Sequence, residues 1–146
     1  YGGHGVWGWD DGTKPPVAHP TTGIPLPWQQ ALRMPGAEQM RYLRACFQSL
    51  AWWTLWPDQS LVLEQPGADD VLQFVTAARS EDGRLAVVYL PAGDMLRLDL
   101  APLEFPLQAT WLCPRDGSLR AGPAVSGQEA TLVAPDEQDW LLVLTA

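Results

Sequence analysis

The sequence is poor in the residues that build disulfide frameworks, metal sites and nucleic-acid surfaces. It contains two cysteines, Cys46 and Cys113, two histidines, and nine lysine or arginine residues against seventeen aspartates and glutamates. Two cysteines specify neither a disulfide framework nor a zinc site, and we expect buried free thiols, with one long-range disulfide as the alternative. The net charge of −8 argues against nucleic acid and against an anionic membrane surface as partners. We expect no metal ion and no cofactor.

Long apolar runs are also absent. No run approaches the roughly 20 residues of a membrane-spanning helix, so the sequence predicts no membrane partner. An apolar fraction of 47% over 146 residues is too high for a disordered chain and suits one domain, or one domain with part of another. The sequence begins at Tyr1, and we expect it to belong to a longer protein, whose compartment the residues leave open.

Glycine, aromatic and acidic residues occupy nine of the first eleven positions. Glycines allow the backbone to approach a ligand closely, and Trp7 and Trp9 offer flat apolar faces that suit a sugar ring. His4 could hydrogen-bond a sugar hydroxyl, or could instead satisfy backbone groups in a glycine-rich bend. Asp10 and Asp11 add hydrogen-bond acceptors. We therefore predict that His4, Trp7, Trp9, Asp10 and Asp11 bind substrate.

The first part of the sequence predicts a strand, a loop and helices. A short strand at Gly5–Trp9 leads into a loop over residues 12–27 that contains five prolines. Pro27 suits the first position of a short helix. From Pro35 onward, apolar residues recur every three or four positions, the pattern of an amphipathic helix of about four turns. We expect the three tryptophans of the segment Trp52–Trp56 to pack a helix onto a neighbour rather than bind a ligand.

After Pro57, which we take as the domain boundary, the pattern changes to short apolar runs separated by turn signals. Turns about ten residues apart are typical of an antiparallel β-sandwich or barrel, and Trp111 and Trp140 alternate into the expected core. Acidic pairs such as Asp69-Asp70 and Asp136-Glu137 could ligate calcium, but we favour solvated turns. The predicted strands are Leu61–Glu64, Val71–Ala78, Leu85–Leu90, Met95–Leu100, Leu107–Cys113, Ala130–Ala134 and Trp140–Thr145.

Residues Tyr1–Trp9, Trp28–Leu32 and Pro35–Met40 resemble the end of the barrel of apiosidase-like glycoside hydrolases. The part after Asp58 resembles the small C-terminal sandwich of such proteins, labelled "putative collagen-binding domain of a collagenase". The expected fold is mostly β: an antiparallel β-sandwich over residues 58–146, preceded over residues 1–57 by a partial (β/α)8-barrel β/α unit with one main amphipathic helix. The second resemblance rests on Ala77–Arg79, Asp82-Gly83, Ala86–Pro91, Trp111–Gly117 and Asp139–Leu144.

The resemblance implies the C-terminal fragment of a glycoside hydrolase acting on plant or other complex glycans. The sandwich is then expected to be an ancillary domain that stabilises the barrel and docks onto it through the region Trp52–Trp56. Family members are expected to use two acidic side chains on earlier barrel strands, and hydrolysis needs carboxyl groups about 5–9.5 Å apart. Asp10 and Asp11 are neighbours on an extended chain, so their side chains point to opposite sides and cannot flank one bond. We assign no catalytic residue to this chain and expect it to be inactive alone, with the upstream barrel and a glycan as partners.

A non-catalytic binding module for a polysaccharide or a collagen-like protein is the alternative. It requires an exposed row of aromatic side chains on one face of the sandwich. Burial of Trp111, Trp140 and Tyr89 would remove most of its support. A third alternative is a purely structural module that makes the protein soluble and rigid.

Overall fold

The computed structural model describes residues 8–21 and 23–146. The chain divides into two compact units, residues 1–47 and residues 48–146. Most of the predicted strand Gly5–Trp9 lies outside the described residues. None of the helices in the described part of the chain is long and apolar enough to cross a membrane.

The first unit contains a small parallel strand pair and two helices. Strand β1 (Trp9–Asp10) pairs in parallel with β2 (Leu26–Pro27), and β2 runs directly into helix α1 (Trp28–Ala31). Pro27 precedes that helix with a φ of −50°, which suits a helix start and costs no hydrogen bond. Helix α2 (Pro35–Gln48) confirms the predicted amphipathic helix.

Burial is sparse in this first unit. Ala31 is the one fully buried residue among residues 8–21 and 23–47, and helix α2 contains none. The apolar stripe of α2, which includes Met40, Leu43 and Phe47, is half-buried or exposed. Since an amphipathic helix draws most of its stability from burying that stripe, α2 gains little of it within the described residues.

The second unit is built from antiparallel strands in two sheets. One sheet has six strands in the order β3-β4-β5-β10-β7-β8, and the other has two, β6-β9. Single 3-10 turns lie at Trp52–Thr54, Gln59–Leu61 and Val71–Gln73. The strands are β3 (Leu55–Pro57), β4 (Thr76–Ser80), β5 (Leu85–Leu90), β6 (Met95–Asp99), β7 (Leu107–Leu112), β8 (Leu119–Val125), β9 (Glu129–Val133) and β10 (Trp140–Thr145).

The two sheets share one apolar core. Leu96 and Leu98 from β6 belong to the same buried cluster as Val88 from β5 and Leu142 from β10. Alternate residues of each strand point to the core, as the pleat of a strand dictates. The predicted antiparallel sandwich after a β/α segment is thereby confirmed.

Two predicted strands differ from the structure because an aspartate caps a helical turn instead. The prediction of a strand over Leu61–Glu64 is wrong: Asp58 accepts a hydrogen bond from the backbone N–H of Ser60 and starts a 3-10 turn. In the run predicted from Val71, Asp70 accepts from the N–H of Leu72 in the same way. The strand there begins only at Thr76. Short polar side chains that bond their own backbone compete with sheet formation in this manner.

Two glutamine side chains continue the sheet where β3 ends. The Gln65 amide donates to the Val75 carbonyl at 2.9 Å and accepts from the Val75 N–H at 2.8 Å. Gln59 donates to the same carbonyl at 2.7 Å and accepts from the N–H of Ala77 at 3.3 Å. A side-chain amide has one donor group and one acceptor, like a peptide unit. The pair therefore replaces the strand that would otherwise border the start of β4.

Candidate functional site

Two of the five predicted site residues, His4 and Trp7, lie outside the described residues. The other three, Trp9, Asp10 and Asp11, are consecutive and lie at and just after β1. Trp9 is opposite Leu26 in the parallel pair, and its side chain is 53% exposed. The ring of Trp9 is thus open to a ligand.

Asp10 and Asp11 form two successive turns that use their own carboxylates. Asp10 Oδ1 accepts from the N–H of Gly12 at 3.1 Å. Asp11 Oδ1 accepts from the N–H and the hydroxyl of Thr13, at 2.9 and 2.7 Å. Gly12 has a φ of +78°, a conformation that glycine adopts without strain. The turn therefore fixes the direction in which the chain leaves β1.

These hydrogen bonds determine the chemistry of Asp11. The hydroxyl of Thr13, followed by its backbone N–H, holds the pKa of Asp11 below its usual range. A general acid in glycoside hydrolysis needs a carboxyl group with a raised pKa. Asp11 is consequently an ionised acceptor at neutral pH, suited to binding a hydroxyl rather than to protonating a leaving group.

The loop that follows contains the second histidine. His19 and Gly23 exchange backbone hydrogen bonds at 2.8 and 2.9 Å. The Nδ1 atom of His19 lies 3.0 Å from the hydroxyl of Thr21. His19 thus closes its own turn.

Two acids before β10, Asp136 and Asp139, are bound by an arginine. Arg115 donates to the Asp139 carboxylate at 2.6 Å and to the Asp136 carboxylate at 3.2 Å. Asp136 also accepts from the indole N–H of Trp140 at 2.8 Å, which is the largest cause of its lowered pKa. Within residues 8–21 and 23–146, no three histidine, cysteine, aspartate or glutamate side chains are grouped as a metal ion would require.

The aromatic residues of the sandwich sheets are mostly inside. Trp111 and Trp140 are buried and meet edge to face, with ring centroids 6.5 Å apart. The guanidinium groups of Arg115 and Arg120 lie over the Trp140 ring, and Tyr89 is half-buried. The prediction that the two tryptophans belong to the core is confirmed. These three residues form no exposed row of rings on which a fibrous ligand could lie.

Sequence reasoning singled out Trp52–Trp56 as a packing segment but missed the side chains that support Trp56. The Arg79 guanidinium lies 4.8 Å from the ring centre of Trp56 and donates to Asp58 at 2.6 Å. These residues are brought together by the pairing of β3 with β4, in which Trp56 is opposite Arg79. A strand predicted at residues 55–57 would have been a first signal, but its partner and register follow from the fold.

Cys46 and Cys113 form no disulfide with each other. Cys46 is half-buried on α2, and Cys113 is buried at the end of β7. Burial raises the pKa of the Cys46 thiol, so the nucleophilic thiolate is disfavoured there at neutral pH.

Comparisons with known protein families agree with both parts of the sequence resemblance. Residues 56–145 match the sequence profile of the family described as "Putative collagen-binding domain of a collagenase". Residues 1–54 match the profile described as "Apiosidase-like, catalytic domain". The predicted resemblance is therefore confirmed for both segments. No curated protein is significantly similar to the chain.

Solved structures of glycoside hydrolases share the fold. One, named "Glycoside hydrolase", has a TM-score of 0.73 and 23% identity over 87% of this chain and 30% of its own. A glycoside hydrolase family 5 protein from Bacteroides vulgatus ATCC 8482 has a TM-score of 0.73 and 22% identity over 82% of this chain and 26% of its own. The chain thus spans less than a third of the length of these structures, and at this identity the likeness concerns the fold.

Proposed function

The chain belongs to the family described as "Putative collagen-binding domain of a collagenase", and we propose that it is the C-terminal part of a glycoside hydrolase. The proposal combines this membership with the match of residues 1–54 to an apiosidase-like catalytic domain. The substrate class is plant or other complex glycans. The match of residues 1–54 is the observation that carries the proposal. The catalytic carboxylates belong to the part of the catalytic domain that this chain does not contain.

In this proposal, the start of the chain forms one side of a sugar-binding site. The open ring of Trp9 stacks on the apolar face of a sugar, and the carboxylates of Asp10 and Asp11 accept hydrogen bonds from its hydroxyl groups. His4 and Trp7 complete the set. In barrel enzymes the active site lies at the carboxyl ends of the strands, and Asp10 is the last residue of β1.

The experiment is hydrolysis of a panel of pectic and other plant glycans by this chain and by the longer natural protein. We expect turnover by the longer protein alone. Turnover by this chain would overturn the proposal, because Asp10 and Asp11 cannot act as a matched pair across one bond.

A pair of tryptophan variants in the longer protein tests the sugar-binding role of Trp9. Trp9→Ala should raise KM about tenfold with little change in kcat, since a lost stacking contact is worth about 1 kcal/mol or more. Trp28→Ala is the matched control, because Trp28 is also exposed in the first unit and is not among the predicted site residues. An equal effect of both variants would reject the specific role of Trp9.

The sandwich is proposed as an ancillary domain that stabilises the catalytic part. The buried state of Trp111 and Trp140 supports this role over the alternative of a polysaccharide- or collagen-binding module. Removal of residues 58–146 from the longer protein should lower its thermal unfolding midpoint while the surviving folded fraction keeps its kcat/KM. Retention of this chain on a collagen column would favour the alternative instead.

A further inference from the structure

The exposed tryptophans of the second unit are confined to one short stretch, residues 52–56, which we name the tryptophan segment. Trp52, Trp53 and Trp56 are 52%, 71% and 45% exposed, whereas Trp111 and Trp140 are buried. The segment runs through the 3-10 turn Trp52–Thr54 and into the edge strand β3. Monomeric proteins seldom expose several large apolar side chains together unless they contact a partner.

The Trp56 ring is fixed in place before any partner arrives. The Arg79 guanidinium lies 4.8 Å from the ring centre, and its Nε donates to Asp58 at 2.6 Å, with both of these side chains mostly buried. One side of the ring therefore rests on a held cation, while nearly half of the residue is open. Tryptophan and arginine are among the residue types enriched at the energetic hot spots of protein interfaces.

The geometry of the other two rings favours a protein surface over a polysaccharide chain. Trp52 and Trp53 stand at 80° to each other, with centroids 6.3 Å apart. A linear glycan stacks on ring faces that share one plane, and this edge-to-face pair provides no such flat row. The uneven surface formed by the edge-to-face rings of Trp52 and Trp53 suits the close packing found at the core of a protein interface.

The position of the segment in the sequence identifies the partner. The match to the apiosidase-like catalytic domain ends at residue 54 and the match to the sandwich family begins at residue 56, so the tryptophan segment lies at the junction. The similar glycoside hydrolase structures are more than three times as long as the part that this chain covers. We propose that the tryptophan segment is the surface on which the portion of the catalytic domain missing from this chain packs.

This inference rests on the proposed function only in assuming that the longer protein has a catalytic domain. Hydroxyl-radical footprinting of this chain and of the longer protein measures the accessibility of each tryptophan side chain directly. We expect the oxidation rate of Trp53 to fall by about fivefold in the longer protein, because interface cores are packed like protein interiors. Met95 on strand β6 is the internal control, since it is 52% exposed and distant in sequence, and its rate should not change.

Each outcome decides the matter. An unchanged Trp53 rate in the longer protein would overturn the inference. Protection of Trp53 that appears only on addition of pectic oligosaccharides would also overturn it, and would identify a glycan surface instead. Protection of Trp53 in a longer protein that hydrolyses nothing would uphold the interface and reject the hydrolase proposal. Hydrolysis by a longer protein in which Trp53 is not protected would uphold the hydrolase proposal and reject the interface.

A variant pair gives an independent measurement. In the longer protein, Trp53→Ala should separate the unfolding of the sandwich from that of the catalytic domain in calorimetry. Leu119→Ala is the matched control, because Leu119 is similarly exposed but lies on β8, at the opposite edge of the six-stranded sheet. A single unchanged transition for both variants would contradict the proposed interface.

Discussion

Arg115 joins several groups at the end of the sandwich. It binds the carbonyl and the carboxylate of Asp139 at 2.5 and 2.6 Å, binds Asp136, and lies over the ring of Trp140. Arg115→Gln should lower the free energy of unfolding by about 2 kcal/mol, the usual size for lost hydrogen bonds to charged groups. Urea unfolding measures this loss, and the exposed Arg84→Gln is the control. Equal effects of the two variants would deny Arg115 this role.

The carboxylate of Asp116 contributes to how the stability of the protein changes at acidic pH. Asp116 accepts from the N–H of Ser118 at 2.8 Å, and this hydrogen bond is the largest cause that lowers its pKa from 3.8 to about 2. Because the folded pKa is the lower one, the stabilisation is complete above pH 3.8 and is lost as the pH falls towards 2. Asp116→Asn should therefore make stability fall less steeply between pH 4 and pH 2, measured as urea midpoints. An unchanged slope would contradict the prediction.

In Asp116→Asn, the dependence of stability on pH between pH 4 and pH 2 should become weaker but should not disappear. Hydrogen bonds also hold the pKa values of Asp58, Asp82 and Asp136 below their usual range, with Ser60, Ser80 and Trp140 respectively as the first cause. Each of these carboxylates takes up a proton on unfolding in acid, with the same sign as Asp116.

At the scale of elements, the start of β4 depends on side chains in place of a strand. Gln65→Ala would leave the N–H of Val75 without its acceptor although Val75 is buried. Burying an unpaired backbone donor costs about 1–3 kcal/mol, so we expect a loss of stability of that size in urea unfolding. Gln128→Ala, at an exposed loop residue, should cost far less. A loss below that of Gln128→Ala would refute the role of Gln65.

Central strands of the sandwich could be predicted from the sequence, whereas an edge strand could not. Leu85–Leu90 and Trp140–Thr145 are strands with the predicted limits, because central strands of a sandwich are continuous apolar runs. Strand β8 was not predicted, since it contains Gly122 and Pro123 and is largely exposed. An edge strand tolerates both, because only one of its sides is hydrogen-bonded. Pairing between distant segments, rather than local pattern, determines such strands.

The candidate site was less predictable than the fold. Composition predicted that Trp9, Asp10 and Asp11 bind substrate, and the structure places them at and just after β1. It could not predict that Thr13 would take up a carboxylate oxygen of Asp11. It also could not place Arg79 beneath Trp56, because that contact joins residues 23 positions apart in the sequence through the register of β3 and β4. Their roles in binding a glycan stay a prediction.

At the scale of the whole molecule, the two units differ in what holds them together. Residues 48–146 contain a core that joins both sheets, whereas Ala31 is the one buried residue among residues 8–21 and 23–47. Burial of apolar area is the main source of stability. Limited trypsin digestion should therefore cut first after Arg33, Arg41 and Arg44 and leave a resistant fragment that begins near residue 45, identified by mass spectrometry. Cleavage after Arg84 or Arg120 at the same rate would contradict this.

The glutamine pair beside β4 also affects whether another molecule can add a strand to this sheet. A bare strand edge is a template on which a strand of another molecule can add, and such addition begins aggregation. Here Gln59 and Gln65 already occupy the backbone groups of Val75 and Ala77, and Pro57 closes the edge strand without an N–H group. The backbone groups at the start of β4 that could pair with a strand of another molecule are already hydrogen-bonded to side chains of the same chain. Addition of a foreign strand, and with it cross-β self-association, is therefore blocked where β3 ends.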